Sequence, residues 1–442
     1  MTSDRPEDDI AAHLRRLRLR AVRDRLRESM LFLPGLMLLG SVVVVLVLAQ
    51  VDEAHQARPL PWAFTFAPDT ASTLLSTIAG ATITTAGVVF SLLVVSLQLA
   101  SGQFSPRVLR GFWRDRVGQV LVGLLLSTFA FSVLALARLD PDAERAPALT
   151  VMFSLLLALA SVMWIVVYLD RISRQQYVGR IMARVVGETL DLVQELPYGR
   201  HVGMRVGDDV PSPDVAELGE PLIVRSPADG WVQQISRRAV IAATPAGSVV
   251  RLETRVGGYL VRDAPLASIW PPPAEPAAAA ALIRSAVILG NARTMQQDID
   301  FGLRQLNDIA LRALSPAVND ATTATEVVLR IGSIMRPLVQ ADLPGQSVRD
   351  TRGRILLTPF DLDHGEYIGH AFDQLRLYAA PHPQVLVAIA RTLRMLRGAC
   401  LLVGGQKEII AALDQQLALT VAGCAAGMLP EDRARVESAA AL

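Results

Sequence analysis

Four stretches of the chain carry no charged side chain: Met30 to Val51, 71 to 106, Val117 to Ala137 and Ala146 to Leu169. Each is long enough to supply the ~20 apolar residues that cross a bilayer as a helix, so four transmembrane helices are expected. The second is the longest. As one continuous helix of about 34 residues it would measure ~50 Å against a ~30 Å hydrocarbon core, so its end is expected to project beyond the bilayer. Along it Thr77, Thr84, Ser91 and Gln98 recur every seven residues, with Gly80 and Gly87 beside them. A period near 3.5 gathers these positions into one stripe of small and polar groups.

Beyond Leu169 the pattern changes. Ile172, Ile181, Val185, Leu190, Leu192 and Val193 predict a helix leaving the membrane and ending near Leu196-Pro197. A loop rich in Gly, Pro and Asp follows. Short apolar runs at 223–224, 231–232 with Ile235, 249–250 with Leu252, 259–261 and 266–270, separated by Pro-Ala-Asp-Gly, Pro-Ala-Gly and Gly-Gly, predict a small β unit. Pro271-Pro272-Pro273 marks the next boundary, after which helical spacing returns. Ile299, Leu303, Leu306, Ala310 and Leu314 share one face, with Asp300–Arg304 and Asp308–Arg312 as i,i+4 pairs on another. That helix stops at Ser315-Pro316, and Thr323-x-x-Glu326 predicts a capping box for the next.

The expected architecture is a polytopic α-helical membrane protein with a cytoplasmic part combining a small β unit and an α-helical domain. Its segments are an arginine-rich arm (1–29), a four-helix transmembrane domain (30–170), a helix and linker (171–220), the β unit (221–272) and the helical domain (273–442).

Composition supports a mixed protein. Of 442 residues 51% are hydrophobic and only 19% charged, and the mean hydropathy is +0.36. A soluble domain carries ~25% charge, yet a wholly membrane-embedded chain would carry far less than this one. The totals of 43 basic and 42 acidic side chains exclude a general nucleic-acid binder. Their distribution is more telling. Arginine is dense between Arg15 and Arg27, at 107–116 and at 171–184, whereas the other two connections hold few arginines mixed with acids. The positive-inside rule therefore puts both termini in the cytoplasm, as a multi-pass protein of the inner (plasma) membrane.

Lys407 is the only lysine, as codon bias in a GC-rich genome would produce. Its solitude excludes a P-loop, and Schiff-base chemistry anywhere else. Two cysteines, Cys400 and Cys424, cannot build a disulfide framework or a four-thiolate zinc site. The four stretches contain no Asp, Glu, Lys, Arg or His, which argues against a proton-coupled pump. The cluster Asp361-x-Asp363-His364-x-Glu366, with His370 and Asp373, matches neither H-E-x-x-H nor an EF-hand loop, so a helix N-terminus is expected there rather than a metal. Arg391, Arg394 and Arg397 interrupt the apolar run from Val385 to Val403. At ~2.5–3.5 kcal/mol each at mid-bilayer, they oppose a fifth span. No catalytic motif or cofactor is expected, and the protein is read as a non-enzyme.

Ser226-Pro227-Ala228-Asp229-Gly230-Trp231-Val232, Gly257-Gly258-Tyr259-Leu260-Val261 and Pro265-Leu266-Ala267-Ser268-Ile269 together resemble the barrel-sandwich hybrid of biotinyl, lipoyl and membrane-fusion-protein domains. Without a lysine at a hairpin tip, the resemblance implies a structural or ligand-holding role. A second resemblance spans nearly the whole chain. It rests on Thr85-Ala86-Gly87-Val88-Val89-Phe90-Ser91, the stretch from Gln98 to Arg107, Arg293-Thr294-x-x-Gln297-Asp298-x-x-Phe301-Gly302, Ala313-Leu314-Ser315-Pro316-Ala317-Val318-Asn319-Asp320 and Ala371-Phe372-Asp373-Gln374-Leu375-Arg376. These resemble a bacterial membrane-protein family, domain-of-unknown-function family 2254, with Ala321 standing where the family pattern prefers proline. That resemblance implies a polytopic membrane protein and no activity.

Two functional readings follow. In the first, Thr77, Thr84, Ser91 and Gln98 from several copies line a channel-like conduit in a homo-oligomer regulated by the cytoplasmic module. The alternative is a membrane-anchored sensor or scaffold without transport, in which the stripe packs helix against helix. Arg293, Gln297, Asp298, Arg304, Asp308, Asn319 and Asp320 are the cytoplasmic candidates, as a ligand pocket or subunit contact or as surface salt bridges and a turn. The bilayer and further copies of the chain are the expected partners, with the ion or small molecule unassigned.

Overall fold

The computed structural model describes residues 32–55, 64, 66–103, 116–141, 143–175, 178–196, 208–404 and 406–441. The arginine-rich arm, the arginines at 107, 110 and 114 and part of the expected linker lie outside the described residues. The chain forms two compact units, one within 17–178 and one built on 179–442.

Among the described residues the first unit is a bundle of four helices: α1 (Phe32–His55), α2 (Pro68–Gln103), α3 (Arg116–Ala137) and α4 (Ala148–Gln175). All four are long and apolar enough to span a membrane. Helix is the form such segments must take, because lipid offers no partner for backbone N–H and C=O groups. The central α3 packs on each of the other three. Its small residues permit this. A Cβ on Gly123 would stand 2.6 Å from Met37 Sδ and 3.1 Å from Pro34 Cα, so α1 and α3 approach closely only at a glycine. Across α3 and α4, Thr128 and Ser161 hydroxyls lie 3.1 Å apart and those of Ser132 and Ser154 2.8 Å apart, and Trp164 donates to the Val117 carbonyl. These polar contacts fix register where hydrophobicity cannot discriminate.

Among the described residues of the second unit, α5 (Val178–Glu195) precedes nine strands, one 3-10 turn (Val215–Glu217) and eight further α-helices. The strands are β1 (Asp208–Asp209), β2 (Leu222–Arg225), β3 (Gly230–Ile235), β4 (Val249–Leu252), β5 (Tyr259–Leu260), β6 (Pro265–Trp270), β7 (Val287–Gly290), β8 (Ser347–Arg349) and β9 (Ile355–Leu357). The helices are α6 (Arg237–Ala242), α7 (Pro276–Ala286), α8 (Ile299–Ala313), α9 (Ala321–Gln340), α10 (His364–Ala379), α11 (Pro383–Leu402), α12 (Lys407–Ala422) and α13 (Pro430–Ala440). One sheet runs β1-β8-β9-β4-β6-β2 and the other β5-β3-β7. All pairings are antiparallel except β4 with β9. Val224, Val250, Leu266 and Leu356 of the first sheet share one core with Val232 of the second, Val240 of α6 and Ile283 of α7.

The expected boundary at 272 is therefore not where the sheets end. β7, β8 and β9 come from the segment read as wholly helical and supply edges that β3 and β4 would otherwise leave unpaired. The strands of 222–270, likened to a barrel-sandwich hybrid, divide between two sheets and need these later strands for completion. The helical layer is built on Leu303, Val328, Ile331, Phe372, Ile389 and Leu393, all fully buried. The expected capping box at Thr323 and Glu326 is also corrected. Asp320 caps α9, accepting from the Thr323 amide at 2.9 Å and its hydroxyl at 2.6 Å, while Glu326 pairs with Arg330. A carboxylate one turn earlier outcompetes the threonine hydroxyl for the free amides.

Candidate functional site

The second span shows where its stripe points. Ala71, Leu75, Ile78, Ala79, Thr82 and Val89 of α2 are buried, the spacing of a helix with one inward face. Thr77, Thr84, Ser91 and Gln98 are all exposed on the other side, and among the described residues no atom beyond the local backbone of α2 lies within 4 Å of a Cβ built on Gly80 or Gly87. The stripe thus does not pack against this chain's own spans. Thr77 and Thr84 donate to the carbonyls of Thr73 and Gly80, four residues back, so neither hydroxyl hydrogen is stranded.

In the α/β unit the loop after β7 folds back on β3. Gln297 Oε1 accepts from the Ile235 amide at 2.9 Å and the Gln233 side chain donates to the Ala292 carbonyl, tying the loop to β3. This loop buries Arg293. Its guanidinium donates to both oxygens of Asp298 at 2.7 Å and to Asp300 Oδ2 at 2.8 Å, with the Phe301 ring 5.4 Å away. Gly257 lies against this pair with φ +79°, and a side chain there would strike both Arg293 and Asp298. Asp298 also caps α8 through the Phe301 amide.

Asp300, 1% exposed, is the hub. It accepts from Arg293, from Arg304 at 2.9 Å and from His370 Nδ1 at 2.8 Å. Burial alone would raise its carboxyl. The hydrogen bonds of His370 and Arg293 and the charges of Arg304 and Arg293 outweigh that, holding it well below the usual carboxylate range. Burial likewise disfavours the charged Arg293, but Asp298 and Asp300 more than compensate and raise it.

Beside this network lies a cavity of about 70 Å³ whose lining includes Arg255, Gln297, Asp298, Tyr367, Leu252 and Ile299. Arg237 also reaches it and pairs with Asp361. Burial, then the charges of Asp298, Asp300 and Asp361, push the Tyr367 phenol up, so it stays a protonated donor.

The structure divides the expected constellation. Arg293, Gln297, Asp298 and Arg304 come together at the start of α8; Asp308 sits half-buried along that helix. Asn319 and Asp320 lie beyond its far end. There Asn319 occupies the left-handed region at φ 52° and Asp320 caps α9, held below the usual range chiefly by its Thr323 hydrogen bonds. Asn319 and Asp320 are thus turn residues, separated from the ion network by the ~22 Å length of α8. Sequence reasoning placed His370 with the acids of 361–373 and missed its bond to Asp300. It also missed Arg237, Arg255 and Tyr367, whose nearest neighbours in the chain bear no periodic relation to α8.

The acids of 361–373 disperse likewise. Asp363 and Glu366 form a capping box on α10, His364 Nε2 meets the Ala341 carbonyl, and Asp373 accepts from Gln416. Among the described residues no three such side chains are arranged to hold a metal ion. Cys400 and Cys424 are free and buried, and burial pushes both thiols up.

Residues 27–395 match the family model described as a predicted membrane protein, DUF2254. An uncharacterized protein of Mycobacterium bovis is 33% identical over 383 residues, covering 85% of this chain and 72% of its own length. An uncharacterized protein of Mycobacterium tuberculosis matches with the same identity and coverage. No solved structure matches the chain. With four membrane-length helices in hand and the family model matching most of its residues, the chain belongs to this DUF2254 family of predicted membrane proteins.

Proposed function

We propose that the protein is a subunit of an inner-membrane homo-oligomer in which α2 helices from several copies line a neutral, polar conduit, regulated by the α/β unit. One observation carries this reading: Thr77, Thr84, Ser91 and Gln98 face away from the chain's own bundle. Lipid gains nothing from hydroxyls, a carboxamide and bare glycines, whereas water or a neighbouring helix does. The wall would be uncharged, because Asp69 in the first turn is the only ionisable residue of α2. Arginine crowding at alternate connections supports cytoplasmic termini.

Single cysteines at 77, 84, 91 and 98, in a chain whose Cys400 and Cys424 are replaced, test the reading with a membrane-impermeant thiol reagent. Modification along the stripe is the expected result. If none of the four reacts while a cysteine at Glu144 in the external connection does, the conduit is lost. Subunit number in nanodiscs provides the second measurement, and a monomer would rule the reading out.

The alternative, a membrane-anchored sensor or scaffold with no transport, draws its support from the buried ion network and cavity of the α/β unit. It expects a monomer or dimer whose stripe cysteines remain unmodified.

A further inference from the structure

We propose that the cavity between β3, β4 and α10 is a binding site for a small oxyanion with an apolar flank, a short-chain carboxylate or an alkyl phosphate. It concerns the α/β unit alone and stands independently of the conduit.

The groups left unused around this cavity are donors. Gln297 is 93% buried and spends its carbonyl oxygen on Ile235, while its amide nitrogen has no partner among the described residues. Tyr367 is a neutral phenol whose hydroxyl has no hydrogen bond among the described residues. Among the described residues the Arg255 guanidinium donates only to the Val256 carbonyl, at 3.2 Å, and meets no acid, though its charge acts on the Tyr367 phenol. A guanidinium, a phenol and a primary amide among the groups lining one cavity match the several lone pairs of a carboxylate or phosphate.

The acceptors are already occupied. Asp298 is held by Arg293, Asp300 by Arg293 and Arg304, and Asp361 by Arg237. Against these three carboxylates stand four guanidiniums, those of Arg237, Arg255, Arg293 and Arg304, with His370 on Asp300. By count Arg255 is the surplus charge; the carboxylates that keep the Tyr367 phenol protonated oppose negative charge at that hydroxyl, so the attraction for an anion comes from Arg255 and the neutral donors. Leu252, Val256, Ile299, Leu343 and Leu362 supply an apolar wall. The cavity of about 70 Å³ is partly open to solvent, so it seats a compact oxyanion head with a short chain lying toward its mouth, and it is too small for a nucleotide.

Isothermal titration of the full-length protein in detergent with butyrate and with butyl phosphate tests the proposal, with butyramide as the uncharged control at matched ionic strength. At least one of the two anions should bind saturably, one per chain, and butyramide at least tenfold more weakly. Arg255→Gln should weaken that binding at least tenfold and Tyr367→Phe measurably, with unchanged thermal unfolding of the unliganded variants. Should Arg255→Gln fail to fold, Tyr367→Phe, which keeps the ring, carries the test. In nanodiscs, competition by phosphatidylglycerol would assign the head to a lipid, and unaltered binding to a soluble molecule. No saturable binding of either anion, or equal affinity in both folded variants, would overturn the proposal.

Discussion

Asp52, near the end of the first span, accepts two hydrogen bonds from Thr150 in the first turn of the fourth, from its amide at 2.9 Å and its hydroxyl at 2.7 Å. The Leu149 amide adds a third at 3.0 Å. A carboxylate almost a hundred residues away thus performs the role of an N-cap, satisfying free amides and meeting the positive end of the helix dipole. Asp52→Ala should lower the stability of the bundle by about 1–2 kcal/mol, the range for losing a helix cap. Thermal unfolding in detergent would read this, and Asp52→Asn should recover part of the loss because its side-chain oxygen can still accept.

Stability of the α/β unit should depend on pH through Asp300. Its carboxyl is depressed in the folded state, so its contribution is complete above the unfolded value of ~4 and is lost as pH falls through that value toward the folded one. Asp300→Asn should flatten the acid limb of a stability-against-pH profile below about pH 4. At neutral pH the same change should cost about 1.5–3 kcal/mol, since it weakens the charge-assisted bonds to Arg293, Arg304 and His370 while Arg293 keeps Asp298. An unchanged acid limb in the variant would contradict this account.

Gly302 of α8 lies directly against the Thr189 side chain of α5, and a Cβ there would overlap the hydroxyl. Gly302→Ala should destabilise the α/β unit by about 1–3 kcal/mol through overpacking, although alanine is the better helix former. Adding Thr189→Ala removes the nearest atoms and should restore part of the loss in chemical denaturation.

Two sets of glycines in the bundle should behave oppositely. Gly123→Leu should disrupt the α1–α3 contact and reduce folded protein, because Met37 and Pro34 occupy the space. Gly80→Leu and Gly87→Leu enter open space on α2, so folding of the single chain should be unaffected while the subunit number in nanodiscs falls. Equal effects of all three changes on folding would show that the α2 face is packed within the chain.

Several features were legible in the sequence because local chemistry decides them. Charge-free stretches of bilayer length must become helices in lipid, so all four spans were readable. Ile299, Leu303, Leu306 and Ala310 announced α8 by spacing alone, and the turns around the β strands by their Gly and Pro. Val287-Ile288-Leu289 and Ile355-Leu356-Leu357 were not readable as strands. An apolar run of three or four residues has no period, and only pairing with β3 and β4 makes it extended.

The candidate site divides in the same way. Sequence identified Arg293, Gln297, Asp298 and Arg304 as a group because they are near neighbours around one helix start. It grouped Asn319 and Asp320 with them although a helix's length intervenes. That His370 completes Asp300, that Arg237 neutralises Asp361 and that Asp52 caps the fourth span depend on contacts 70, 124 and 98 residues apart in the chain. Hydrophobic periodicity is a property of neighbours and survives in one dimension. The pairing of a buried charge is decided only when packing removes water and leaves one partner within reach.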